Sequence, residues 1–216
     1  MHNIYLIHKH FWSKPVIKSF LAGVLLFMVA LTGQHYAYSY IDKRVNGTHV
    51  GDLILDNIPT INLDFFIIQG ALITTLLALL LFLLKPKYLI FSIKALSLFI
   101  IARSFFISLT HLGVNLNQIT LNTERIGFGL YEFLYHGKND FFFSGHVGAP
   151  FLCALILWKE KFWRYLFLVI SVIFGASMLL AHMHYSIDIF AAPLITYSLY
   201  AISKKIFKKD FDLIEK

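Results

Sequence analysis

The sequence predicts an all-α integral membrane protein, with six transmembrane helices packed as one bundle in a single domain over residues 1–216. Three observations carry this. Hydrophobic residues make up 58% of the 216 and charged residues 14%, against roughly a quarter charged in ordinary soluble domains. Apolar runs approaching the ~20 residues that a helix needs to cross a bilayer recur to the C-terminus, which argues against a secreted globule behind a signal peptide. Basic residues gather in short segments at the ends of those runs, where they act as topology signals.

The first span is 15–33, PVIKSFLAGVLLFMVALTG, and the second is 65–84, FFIIQGALITTLLALLLFLL. After the basic KPK at 85–87 a third runs over 89–110, less pure because it holds Lys94 and Arg103. Lys94 lies deep enough to snorkel. The fourth covers 141–158, FFFSGHVGAPFLCALILW, and KEK at 159–161 separates it from the fifth, 162–181. The sixth, 184–203, ends in KK. The two long connections, 34–64 and 111–140, exceed the ~15 residues usual for structureless loops. They are expected to carry short interfacial helices, the second as an amphipathic cover over a site.

Charge bias sets the orientation. With both termini cytoplasmic, the inner pieces hold Lys9, Lys14, Lys18, Lys85, Lys87, Lys159, Lys161, Arg164, Lys204, Lys205, Lys208, Lys209 and Lys216. The long outer connections hold only Lys43, Arg44, Arg125 and Lys138, so the pattern is positive-inside. The net charge of +7 is thus a membrane-edge signature, and no nucleic-acid partner is expected. Cys153 is the one cysteine, which leaves no intrachain disulfide and no thiolate metal cluster. NGT at 46–48 fits a glycosylation sequon, a motif common by chance.

Several polar residues fall at one depth near the outer surface. His184 and Asp188, four apart at the start of the sixth span, share a helix face. Asp140, Ser144, Gly145 and His146 lie where the fourth span begins, and Arg103 about two turns below the outer end of the third. Ionisable groups in membrane segments face the bundle or a cavity and mark function by default. A carboxylate one turn from a histidine fixes its tautomer and frees the second nitrogen for attack or proton transfer, which suits His184 with Asp188. His146 can donate or accept the second proton. Arg103 offers a planar fork for phosphate oxygens. Ser144 and Gly145 open a helix whose N–H groups favour an anion. The set reads as phosphoryl transfer through a phosphohistidine, with no cofactor. The structural alternatives are a helix tie for Arg103 and a simple interfacial place for His182.

These residues also match a known pattern. NDFFFSGHV at 139–147, HYSIDIFA at 184–191 and, more weakly, RSFFISLT at 103–110 resemble the segments GDxxFSGHT, HYTxDVxxA and the arginine helix of the sphingomyelin synthase-like branch of the type 2 phosphatidic acid phosphatase (PAP2) superfamily. The resemblance covers roughly 90–205 and implies a PAP2-like catalytic core. It implies His184 as nucleophile, Asp188 as its orienter, His146 as acid and base, Arg103 in the phosphate region and Asp140 at the fourth-helix entrance. Tyr185, inside the second motif, and His182 stand as possible supporting residues. The phosphatase branch's lysine–arginine motif is missing, and Met178 stands where its second arginine would be. Lys138, Asn139 and Val147 also depart from the family pattern.

The expected activity is transfer or hydrolysis of a phospho-headgroup, metal-independent, on a membrane phospholipid or lipid phosphate, with diacylglycerol or ceramide as a possible acceptor. A lipid phosphate phosphatase is the alternative. A transporter would call for a midplane site in broken helices and repeats, and a metal protein for a closed histidine–carboxylate shell. The sequence displays neither, and it leaves the oligomeric state open.

Overall fold

A computed structural model describes residues 8, 11–44, 49–135 and 140–215. Helix α1 (Lys14–Arg44) has 31 residues, about 46 Å at 1.5 Å per residue. It outruns the expected span of 15–33 because QHYAYSYIDKR contains no glycine or proline to stop it. Instead Ala37, Tyr38 and Ile41 are buried, the last two in a cluster with Ile107. Lys43 and Arg44, expected in a loop, therefore sit on the last turn of this helix. Helix α2 (Ala71–Leu84) follows directly on a π-turn, Phe66–Gly70, so together they match the second predicted span.

Helix α3 (Pro86–Leu109) is the most enclosed long helix. It begins at Pro86, which needs no N–H partner in the first turn. It runs parallel to α1, since Gly23 meets Lys94 at one end and Tyr38 clusters with Ile107 at the other. The second long connection contains helix α4 (Phe128–Tyr135), as anticipated. Between α1 and the π-turn, the described residues hold one 3-10 turn, Leu55–Asn57. Helices α5 (Gly145–Ile156), α6 (Lys161–Leu180), α7 (Ser186–Ile206) and α8 (Lys208–Glu215) complete the order.

Among the described residues the fold is thus all-helical, with five helices long and apolar enough to cross a membrane. Predicted span 141–158 is the exception. Its helix, α5, has 12 residues, about 18 Å, against a ~30 Å hydrocarbon core. It starts four residues late because the approach is not helical: Phe142 has φ 59° and Ser144 has ψ 120°. Arg103 takes the Phe143 carbonyl from the side. Most of α5 is buried, packed between α6 and α7.

At the end of the bundle away from the predicted site, Lys94 does not snorkel. Its ammonium lies 2.6 Å from Asp210 of α8 and 2.7 Å from Ser19 of α1. This buried knot joins three helices. Lys138, Asn139, Lys9, Lys216 and the NGT triplet lie outside the described residues.

Candidate active site

The turn between α6 and α7 places His184. Helix α6 ends in a Schellman motif: the His182 N–H donates to the Leu179 carbonyl and the Met183 N–H to Met178. His182 occupies the left-handed position at φ 54°, where glycine is usual. Its buried ring meets Thr60 Oγ1 through Nδ1 at 3.3 Å. His182, a possible supporting residue in the sequence, thus occupies the turn.

Helix α7 starts at Ser186, so His184 stands just outside it rather than in its first turn. Asp188 holds both the helix start and the histidine. Its Oδ2 accepts the Tyr185 N–H at 3.2 Å and faces His184 Nδ1 at 3.2 Å. A carboxylate in the first turn also complements the positive end of the helix dipole. With Nδ1 held this way, the tautomer leaves Nε2 as the nitrogen available to react. Phe141 packs edge-on to the ring, and both His184 and Asp188 are buried.

Helix α5 brings in the second histidine. The Ser144 N–H donates to the Asp188 carbonyl at 3.1 Å, which stitches the starts of α5 and α7 together. His146 follows in the first turn of α5 and is buried. The Ser144 amide, expected to help an anion, is already taken by Asp188. Ser144 Oγ and Asp188 Oδ1 are buried without a hydrogen-bond partner among the described residues.

Arg103 departs most from expectation. Nη2 lies 2.6 Å from each Asp140 oxygen, and Nε donates to the Phe143 carbonyl at 2.9 Å. Tyr38 of α1 donates to Asp140 at 3.1 Å. Asp140 and the Phe143 carbonyl thus engage Nη2 and Nε of the guanidinium. A buried arginine needs such a partner, and Asp140 supplies it. Gly145 explains the remaining contact, because a Cβ there would lie 2.8 Å from Nη1. Arg103, Asp140 and Gly145 form a clamp that shapes the α5 entrance. A groove of about 450 Å³ between α1 and α3, lined by Gly33, Tyr36, Ala37, Tyr40, Ser104 and Ser108, adjoins this clamp in sequence but touches neither catalytic histidine candidate.

The two long connections close this end. The Ile61 N–H donates to Leu180 and the Ile119 N–H to Ala181, satisfying carbonyls at the end of α6. Asp52 accepts the Ser186 N–H at 2.6 Å as well as those of Ile54 and Leu55. Burial opposes its charge, yet these N–H donors hold its carboxyl below the usual range. Asp64 is likewise depressed, chiefly by the hydrogen bond from Arg125 of the second connection. Tyr185 reaches Gly113 with its hydroxyl at 2.8 Å and so pegs the cover rather than facing the histidine pair. Tyr131 and Tyr135 of α4 lie over His146. Sequence reasoning missed Tyr38, Asp52, Thr60, Tyr131 and Tyr135. Only the tyrosines in FGLYEFLY, four apart on one helix face, carried a local signal.

Among the described residues no three His, Cys, Asp or Glu side chains gather as a metal-ligand set. The site therefore belongs to an all-helical, multi-pass membrane protein whose polar groups converge at one end of the bundle. Residues 139–205, from the approach to α5 through most of α7, match the PAP2 superfamily C-terminal family. No curated protein and no solved structure matches the chain.

Proposed function

We propose that the protein is a membrane lipid enzyme that moves a phospho-headgroup through a phosphohistidine, in the manner of the sphingomyelin synthase-like branch. The observation that carries this is the His184–Asp188 pair, tied through Ser144 to the start of the helix that bears His146. The PAP2 C-terminal match over these segments supports it.

In this reading His184 Nε2 attacks phosphorus while Asp188 stabilises the positive charge arriving on the ring. The bond from phosphorus to the lipid alcohol breaks, and that oxygen takes a proton from His146. An acceptor hydroxyl then gives its proton to His146 and attacks the phosphohistidine, releasing His184. A diacylglycerol or ceramide acceptor makes the reaction a headgroup transfer. Water makes it a phosphatase or phospholipase C-type hydrolysis. Arg103 and Asp140 act by shaping the α5 entrance. The positive-inside pattern supports a site on the periplasmic, extracellular or lumenal side.

The test is product identity by mass spectrometry from a labelled phospholipid or lipid phosphate, with and without diacylglycerol or ceramide, in the presence of chelator. Label on a new lipid supports transfer. Free phosphate or a water-soluble phospho-headgroup alone demotes transfer in favour of hydrolysis. No turnover of any lipid, or turnover lost to chelator and restored by a divalent ion, sinks the reading.

A further inference from the structure

Two of the side chains that hold His146, Tyr131 and Tyr135, lie outside the family-matched segment. The Tyr131 hydroxyl is 3.2 Å from His146 Nε2, and both residues are buried. The Tyr135 ring stacks on the imidazole at 4.9 Å between centroids, and Phe174 of α6 meets it edge-on at 5.8 Å. Tyr131 and Tyr135 stack on each other at 5.2 Å. Tyr135 is in turn fixed to α2, where its hydroxyl meets Thr75 Oγ1 and the Ala71 carbonyl. Three rings and one hydroxyl, with the Ile67 backbone carbonyl, therefore surround this imidazole.

We propose that Tyr131 is a positioning residue for His146, its hydroxyl holding Nε2 so that the ring keeps one orientation and one resting tautomer. The proposal rests on the phosphohistidine reading. A phenol suits the task for a definite chemical reason. Its hydroxyl can donate to a bare ring nitrogen or accept from an N–H, so the contact at Nε2 persists whether the ring is neutral or charged. Burial pushes the Tyr131 phenol well above its ordinary pKa, which keeps that proton in place. A carboxylate could only accept, and an ammonium could only donate. Because α4 belongs to the long connection between α3 and α5, His146 is completed only when that connection is folded over the bundle.

The test is Tyr131→Phe, which keeps the ring stack and removes one oxygen, with Glu132→Gln on the exposed face of α4 as control. The expected result is a fall of about tenfold or more in kcat with KM within twofold, since general acid–base help is worth ~10²–10⁴-fold and depends on aim. Nitrogen-15 NMR of histidine-labelled protein should show a changed tautomer signature at His146 and an unchanged one at His184. Thermal unfolding of the variant reports whether it is folded. If it is not, Tyr131→Met, which fills the space without a hydroxyl, is measured in its place. Unchanged kcat, or an unchanged His146 signature, overturns the proposal. Absence of lipid turnover in the wild type is the separate failure of the phosphohistidine reading, and the positioning role falls with it.

Discussion

Replacing Gly145 with alanine should damage both stability and turnover, through contact with Arg103. The added Cβ would lie 2.8 Å from Nη1, 2.9 Å from Cζ and 3.3 Å from Nη2. Comfortable separations are about 3.5–4.0 Å, so the guanidinium or the helix start must yield by roughly 0.7–1 Å. The arginine has little freedom to do so. Nη2 sits 2.6 Å from both Asp140 oxygens, and Nε 2.9 Å from the Phe143 carbonyl. Overpacking of this kind costs about 1–3 kcal/mol. Removing glycine's backbone freedom returns ~0.5–1 kcal/mol. A net loss of about 1–2 kcal/mol should appear as a lower thermal midpoint in detergent. Displacing the α5 entrance by this distance also misaims His146 one residue on, and a 1 Å error can cost ~10²-fold in rate. Headgroup release from a labelled lipid should therefore fall at least tenfold. A Gly145→Ala protein with wild-type turnover and midpoint would refute the clamp.

Asp188→Asn keeps an oxygen for the Tyr185 N–H but loses the charge beside His184, so kcat should drop by ~10²–10⁴-fold with a small change in melting, by analogy with other carboxylate-oriented histidines; melting that collapses with kcat would assign Asp188 a structural role alone. At the far end, Lys94→Met should destabilise by about 3–5 kcal/mol because Asp210 is left buried and unpaired, while the double change with Asp210→Leu recovers most of it. Chemical denaturation in micelles checks this, and additivity of the two single changes would contradict the knot. For Asp52 and Asp64, whose folded carboxyls titrate below the ordinary 3.8, the stabilisation is complete above that value and is lost as pH falls through the depressed folded pKa. Hydrogen exchange in residues 49–65, corrected for intrinsic rate, should rise only below about pH 4; a rise already at pH 6 would mean that other groups hold the cover. His182→Asn, which tolerates the left-handed turn, should keep turnover within about twofold, whereas a loss as deep as that of His184→Ala would return His182 to the chemistry.

The spans and the His184–Asp188 pair were legible because each rests on local spacing. Apolar runs of helical length announced α1, α2, α3, α6 and α7, and the i, i+4 spacing joined His184 to Asp188. What composition could not show was where a helix yields to irregular backbone. Phe141, Phe142 and Phe143 look as apolar as any helix start. They are non-helical because Arg103, about forty residues earlier, takes a carbonyl there. The same long-range partner changed the reading of Arg103: a lone arginine looks like a phosphate fork until Asp140 is folded against it. Tyr38 and Asp52 were invisible for a similar reason, since each reaches the site across more than one hundred residues of chain.

The central claim is that phosphorus is carried on His184. Rapid acid-free quenching of the enzyme with phosphorus-labelled lipid, followed by peptide mass spectrometry, tests it directly. The account predicts a phosphoryl or phospho-headgroup adduct on the peptide holding His184, formed and lost within the turnover time and absent from His184→Ala. Sustained turnover with no such adduct, or an adduct on His146 instead, would contradict it.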